Sequence, residues 1–365
     1  MQKFAFVIHP IDVRRDMARK YPAVKYAPES LIAALLPRIK PKIVSHITGV
    51  KSEWPKTEAE GWFIVCPLTP KQLLTMPTEV VYKKLIECGR LAESMGAEIM
   101  GLGALTSVVG DGGITVAKSL NIAVTTGNSY TVATAVEGAI RGAELMGTPM
   151  QEATVAVVGA AGSIGRTCAL MLASEAGRIV LVGRHVERLE PVVREIEAMP
   201  NHCPVSVTSD ITEGLKNADV VVTVTSAADA VILPHHLKKG AVVCDVARPR
   251  DVSVRVAKER NDVLIIEGGL VSVPGPHLDF GFDFGFPPKT AYACMSETML
   301  LALEAADSGK YESFTLGKEV SVEQATTMQR LAKKHGFRLG GFRSFEKAIS
   351  EEDIAAVRNA AGRVK

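Results

Sequence analysis

The sequence predicts an α/β fold: a doubly wound parallel sheet, a second α/β domain ahead of it, and a helical C-terminal part. Three observations predict it. Between Glu152 and Gly269, six short apolar segments are separated by polar or helical ones, the pattern of a parallel sheet with helices on both faces. A glycine-rich turn, "VVGAAGSIG", stands between the first of these segments and the helix pattern that follows. The tract from Met1 to about Gly127 also alternates strand and helix patterns.

The elements follow in order. "KFAFVIHP", "KIVSHITGV" and "GWFIVCPL" are strands by their β-branched and aromatic content. "TEVVYKKLIECGRLAESMG" repeats apolar residues at helical spacing, with Gly96 as its stop. "AEIMGLGALTSVVGDGG" is a strand entering a glycine-rich loop, "NIAVTTGN" is another strand, and a helix runs from about Ser129 to Met146. In the middle tract, "TVAVVG", "RIVLVGR", "VSVTSD", "DVVVTVTS", "AVVCDV" and "DVLIIEGG" are the six strands. "SIGRTCALMLASEAG" and "HVERLEPVVREIEAM" are helices between them. After Leu270 come a Phe-Gly segment, a helix carrying Cys294, and helices opening at Ser321 and Ser350 with cap-like starts. The expected partition is an N-terminal α/β domain over 1–150 that ends in a linking helix, a nucleotide domain over 151–269, and a helical segment over 270–365 that packs back between the two.

The 365 residues, 47% apolar and 22% charged, suit a soluble globular chain of two domains. A net charge of +2 leaves no basic excess to neutralise phosphates, which argues against a nucleic-acid binder. The apolar run in "MQKFAFVIHPIDVRRD" is too short for a signal peptide, and no segment reaches the roughly 18 apolar residues of a membrane helix. A cytoplasmic protein without a transmembrane segment is expected; a homo-oligomer is allowed. The six cysteines form no CxxC pair and the eight histidines no HExxH spacing, so no metal site is expected.

The glycines of "VVGAAGSIG" have separate tasks. Gly159 permits the tight turn, Gly162 lets the backbone approach a pyrophosphate, and Gly165 lets the helix pack on the strand. The helix start at Ser163 and Ile164 supplies unpaired N–H groups for phosphate oxygens. In a six-strand α/β unit this spacing marks a Rossmann dinucleotide site. An NAD site places Asp or Glu at the end of the second strand. This chain has "VGRHVER", where Arg184 can pair with a 2′-phosphate and Arg188 can assist, so NADPH is expected. Thr223, Thr225 and Ser226 end the fourth strand, on the edge where such sheets bind ligands.

Prolines 287 and 288 precede the helix "AYACMSETMLLALEAA", with Thr290 as a plausible N-cap. Cys294 then falls in the first turn, where the helix dipole favours thiolate, and Lys289 adds positive charge. Thiolate attacks acyl carbonyls. Four of the eleven Phe residues, Phe280, Phe282, Phe284 and Phe286, precede it in "DFGFDFGF". An extended segment would put all four on one side, against an acyl chain or as a plug between domains.

With these residues in view, "GALTSVV", "VTTGNSYT", "ATVAVVGAAGSIG", "EGGLV" and "AYACMSETMLLALE" together resemble the long-chain acyl-(acyl-carrier-protein) reductases that form aldehydes, from about residue 100 to 340. The resemblance implies that Cys294 takes the acyl group from a carrier-protein or coenzyme A thioester. It also implies that the Gly159–Gly165 turn holds NADPH and that hydride transfer yields a fatty aldehyde. Phe282, Phe284, Phe286, Thr126 and Asn128 are then substrate-side candidates, and His277 is a candidate proton donor. The family's Gly-Gly-Val-Val-Glu-His stretch is "GGLVSVPGPH" here, and the tail beyond about Gly340 looks like an addition. "DVVVTVTSAA" and "VCDVARPRDV" are similar to glutamyl-tRNA reductases. "TPK" at Thr69 and "TGNSYT" at Thr126 echo shikimate dehydrogenases, with Tyr130 where their Asp is expected. An NADP-dependent alcohol or ketone dehydrogenase without covalent catalysis is therefore the alternative, and a nucleotide-sensing protein a third.

Overall fold

The computed structural model describes residues 1–10, 14, 26–227, 229–283 and 285–363. The first sheet contains β1 (Gln2–Ile8), β2 (Lys42–Lys51), β3 (Glu58–Val65), β4 (Ile99–Leu102) and β5 (Ala123–Thr125) in the order β2-β3-β1-β4-β5. Only β2 runs antiparallel to its neighbour. β1 carries Phe4, Ala5, Phe6 and Val7 in a row, all buried, as a strand covered on both faces requires. One face is covered by the helix over Thr78–Ser94, whose Val81, Leu85, Cys88 and Ala92 form a buried stripe at helical spacing.

The second sheet contains β6 (Thr154–Val158), β7 (Arg178–Val182), β8 (Val205–Thr208), β9 (Val220–Thr223), β10 (Val242–Asp245) and β11 (Leu264–Glu267), all parallel. Its order, β8-β7-β6-β9-β10-β11, is the doubly wound 3-2-1-4-5-6 arrangement. The six predicted strands are present.

Three helices join the sheets. α1 (Asn128–Leu145) lies along the second sheet, because Gly138 and Gly142 bring its backbone close to Cys244, Val242 and Ile266. α2 (Ala293–Ser308) covers the other face of the first sheet, with Met299, Leu300 and Leu303 fully buried among Phe4, Phe6 and Phe63. α3 (Val322–His335) packs on both and starts with the expected capping box, Ser321 with Gln324.

The C-terminal part is less purely helical than the sequence suggests. β12 (Leu270–Ser272), β13 (Thr290–Tyr292) and β14 (Arg338–Leu339) form a small antiparallel sheet. Thr290 is therefore not the N-cap: it pairs with Ser272, and the helix starts after Tyr292. A hairpin of β15 (Phe342–Ser344) and β16 (Lys347–Ile349) lies beside β11, shielding the open edge of the second sheet. Among the described residues no helix is long and apolar enough to cross a membrane.

Candidate functional site

The glycine turn joins β6 to α4 (Ser163–Ala173) at the carboxyl edge of the second sheet. Gly159 has φ +85°, a region that Cβ-bearing residues avoid. A Cβ on Gly165 would lie 2.3 Å from the Gly159 carbonyl oxygen, so helix and turn meet only because that position is glycine. A Cβ on the exposed Gly162 would meet only that same oxygen, at 3.3 Å, leaving an open backbone face. Ser163 Oγ is buried without a hydrogen-bond partner, and the first N–H groups of α4 have no helical carbonyl to bond. The orphaned hydroxyl and the bare glycine cradle fit a pyrophosphate.

Arg184 and Arg188 follow β7 and are exposed. Neither side chain makes a hydrogen bond or ion pair among the described residues. Gly159 N–H donates to the Val182 carbonyl, so the β7 end that carries Arg184 lies beside the turn. Ser226 is exposed on the neighbouring edge. The two threonines turn their hydroxyls to a common partner. Thr223 and Thr225 donate their hydroxyls to the buried Asp251, at 2.6 and 2.5 Å, and Thr225 Oγ1 also accepts from the Ala227 N–H. Their hydroxyls shape the β9 loop, and Thr225 touches the turn through its methyl, 3.3 Å from where a Cβ on Gly159 would stand.

Cys294 is the second residue of α2, and the helix start is tied to the end of the second sheet by Ala293 N–H donating to Gly269 O at 2.7 Å. Across from it lies the turn between β5 and α1. A Cβ on Gly127 would fall 2.4 Å from the Cys294 Cα and Cβ. Five cysteines are buried; Cys294 alone is only partly so. Its electrostatics differ from the sequence expectation of a thiolate. Burial pushes the thiol up to about 12, and the carboxyl of Glu297 acts in the same direction. The N–H groups of Met295, Cys294 and Ala104 oppose this without prevailing. Lys289 is turned away and donates to Pro276 O at 3.0 Å. In the free protein the sulfur is a thiol near the N–H groups of Ala104 and the first turn of α2.

The Phe segment is not extended. Asp279 and Asp283 each accept from the N–H two residues on, at 2.8 and 2.7 Å, and Gly281 and Gly285 have φ +61° and +79°. Two such turns break the alternation that would have aligned the rings. Phe280 plugs the core against Phe63 at 6.3 Å. Phe286 meets the Tyr292 ring at 4.5 Å, just before Cys294, and stacks under the Arg343 guanidinium. Phe282 is half-buried; Phe284 lies outside the described residues. Thr126, another candidate, is buried and spends its hydroxyl on Thr315 O at 2.5 Å. Asn128 opens α1 and is half-buried. His277 is exposed on a loop whose carbonyl backs Gly49 of β2.

Three residues at the site escaped the sequence reading. Asp251 organises the β9 edge, and Arg248 lies 5.5 Å over the Tyr292 ring, within 3.6 Å of Glu267. Glu297 is fully buried beneath Cys294. A lone acid in the apolar run "ACMSETMLLAL" was its available signal.

Residues 142–267 match the family described as shikimate / quinate 5-dehydrogenase. Over 349 residues the chain is 26% identical to the long-chain acyl-[acyl-carrier-protein] reductase of Synechococcus elongatus (strain ATCC 33912 / PCC 7942 / FACHB-805), covering 90% of this chain and 95% of that one. Over 302 residues it is 29% identical to the aminotransferase PigE of Serratia sp. (strain ATCC 39006), covering 81% of this chain but only 34% of that protein's length. The family match falls on the doubly wound sheet and its glycine turn. Among solved structures, L-tryptophan dehydrogenase from Nostoc punctiforme aligns with 99% of the chain and 87% of its own, at 13% identity and a TM-score of 0.41. The nucleotide-binding domain of glutamyl-tRNA reductase from Thermoplasma volcanium aligns with 39% of the chain and 86% of its own, at 16% identity and a TM-score of 0.27.

Proposed function

We propose that the chain reduces a long-chain acyl thioester, presented on acyl-carrier protein or coenzyme A, to a fatty aldehyde with NADPH. The observation that carries this reading is Cys294: the least buried of the six cysteines, in the first turn of a helix whose start is hydrogen-bonded to the end of the cofactor sheet. The acyl-carrier-protein reductase relative, matched over nearly its full length, supports the same chemistry.

Gly159, Gly162, Ser163, Ile164 and Gly165 hold the pyrophosphate, Arg184 the 2′-phosphate with Arg188 beside it, and Ser226 the edge toward the nicotinamide. Bound there, NADPH supplies the hydride that takes the acyl carbon to the aldehyde level. Cys294 Sγ attacks the thioester carbonyl; the carbon–sulfur bond to the carrier breaks, and the proton from Sγ leaves on the carrier thiol. The N–H groups near the sulfur, from Ala104 and the first turn of α2, stabilise the oxyanion that forms next to it. The alkoxide left on the acyl carbon after reduction collapses, the carbon–sulfur bond to Cys294 breaks, the aldehyde leaves and Sγ takes up a proton from water. The alternative, a dehydrogenase acting on a hydroxyl, would rest on Lys71, exposed on its helix, without the acid it expects, because the buried Tyr130 stands in that place.

Mixing the protein with palmitoyl-coenzyme A and NADPH should release hexadecanal, one per NADPH oxidised. Oxidation of NADPH with ketones but not thioesters would refute the reading. Arg184→Ala should weaken NADPH at least tenfold, about 1.4 kcal/mol, and leave NADH nearly unchanged; equal losses would remove the 2′-phosphate assignment.

A further inference from the structure

Glu297 stands three residues after Cys294 on α2, with no surface in contact with solvent. Thr125 Oγ1 donates to it at 2.5 Å, Thr315 Oγ1 at 3.0 Å and the Tyr130 N–H at 2.8 Å, with the Gly127 N–H also directed at it. No Lys, Arg or His pairs with it among the described residues. Such an acid is costly to bury, and its position explains why it is there. α1 begins at Gly127 with a left-handed N-cap and no side-chain cap of its own. Its first N–H groups need an acceptor, and a carboxylate at a helix N-terminus is favoured by the dipole. Glu297 supplies that cap from another helix. The same turn is the one that packs on Cys294, so the N-termini of α1 and α2 meet at the sulfur. Thr315, held at φ +47°, closes the ring by accepting from Thr126 and bonding Ser129.

We infer that Glu297 is a positioning residue for Cys294: by capping α1 from α2 it fixes the Thr125–Asn128 turn against the nucleophile. The inference rests on Cys294 being the acylated residue. Burial pushes the Glu297 carboxyl upward, against the hydrogen bonds it accepts, and in its ionised form it opposes ionisation of the thiol. Other charges on the elements packed around α2 lie elsewhere. His9 ends β1. Glu58 and Glu60 of β3 pair with Lys51 and His46, and Arg248 stands behind Tyr292 of β13. On α3, His335 and Lys334 pair with Glu304, two turns further along α2. α1 adds Tyr130 and Glu137.

Glu297→Gln tests this in the full-length protein. The amide keeps an oxygen for the threonines but sets a donor against the Tyr130 N–H and removes the ionisable carboxyl. Two readouts decide it: alkylation of Cys294 by iodoacetamide against pH, followed on its peptide, and turnover with palmitoyl-coenzyme A. The expected result is an alkylation profile moved at least one unit to lower pH, together with a kcat at least tenfold down and little change in KM. A lower melting temperature with the wild-type profile and kcat would reduce Glu297 to a packing residue and overturn the inference. Thr125→Val, nearly isosteric, removes one donor and keeps the carboxyl. It should lower kcat without moving the alkylation profile downward, and wild-type turnover in it would also count against the inference. Absence of an acyl adduct on wild-type Cys294 would instead sink the underlying reading.

Discussion

Replacing Cys294 by alanine should abolish aldehyde formation, lowering kcat by a factor of about 10⁴ or more, while NADPH affinity stays near the wild-type value. The two effects separate because the sulfur lies at the start of α2, whereas the proposed cofactor cradle lies at the ends of β6, β7 and β9. Without Sγ the acyl group has nothing to occupy between its carrier and the hydride. The backbone donors around Cys294 remain in place, so the substrate should still dock, and the loss should appear in kcat rather than KM. Cys294→Ser should be nearly as poor, because a hydroxyl in the same buried, acid-flanked place is ionised far less readily than a thiol. Steady-state turnover together with NADPH fluorescence titration checks both halves. A Cys294→Ala protein that keeps even a tenth of its thioester reduction would show that no covalent step passes through this residue.

The second large effect separates two glycines three positions apart. Gly165→Ala places a methyl 2.3 Å from the Gly159 carbonyl oxygen and 3.1 Å from the Ala160 Cα, both backbone atoms that cannot step aside. Overpacking of that kind costs about 1–3 kcal/mol, so thermal stability and cofactor binding should fall together. Gly162→Ala meets only one atom at 3.3 Å, and Gly162 has an ordinary extended backbone with φ −80°. The fold should tolerate it, but the methyl stands where the pyrophosphate must approach. The melting temperature should hold within a degree or two while NADPH affinity drops at least tenfold. If Gly162→Ala binds NADPH normally, the phosphates do not sit on this turn.

The strands of both sheets were legible because parallel strands buried on both faces must be continuous apolar runs, and "KFAFVI" and "VVVT" are such runs. The glycine turn was legible because its demands are local: a positive φ at Gly159 and a missing Cβ at Gly165. What depends on distant partners was not. Thr290 looks like a cap until β12 arrives to pair with it. Glu297 acquires its role from Thr125 and Tyr130, separated from it by 172 and 167 positions. The thiolate expectation counted the dipole, a local term, but not the burial and acid that tertiary packing adds. The Phe alternation is broken for the opposite reason: the decisive signal, Asp-Phe-Gly twice over, is local and specifies turns.

Intact-mass measurement after mixing the protein with palmitoyl-coenzyme A, with NADPH withheld, tests the covalent step directly. The account predicts a single added palmitoyl group, found on the peptide containing Cys294 and released when NADPH is supplied. An unmodified protein that nonetheless yields hexadecanal once NADPH is present would contradict it.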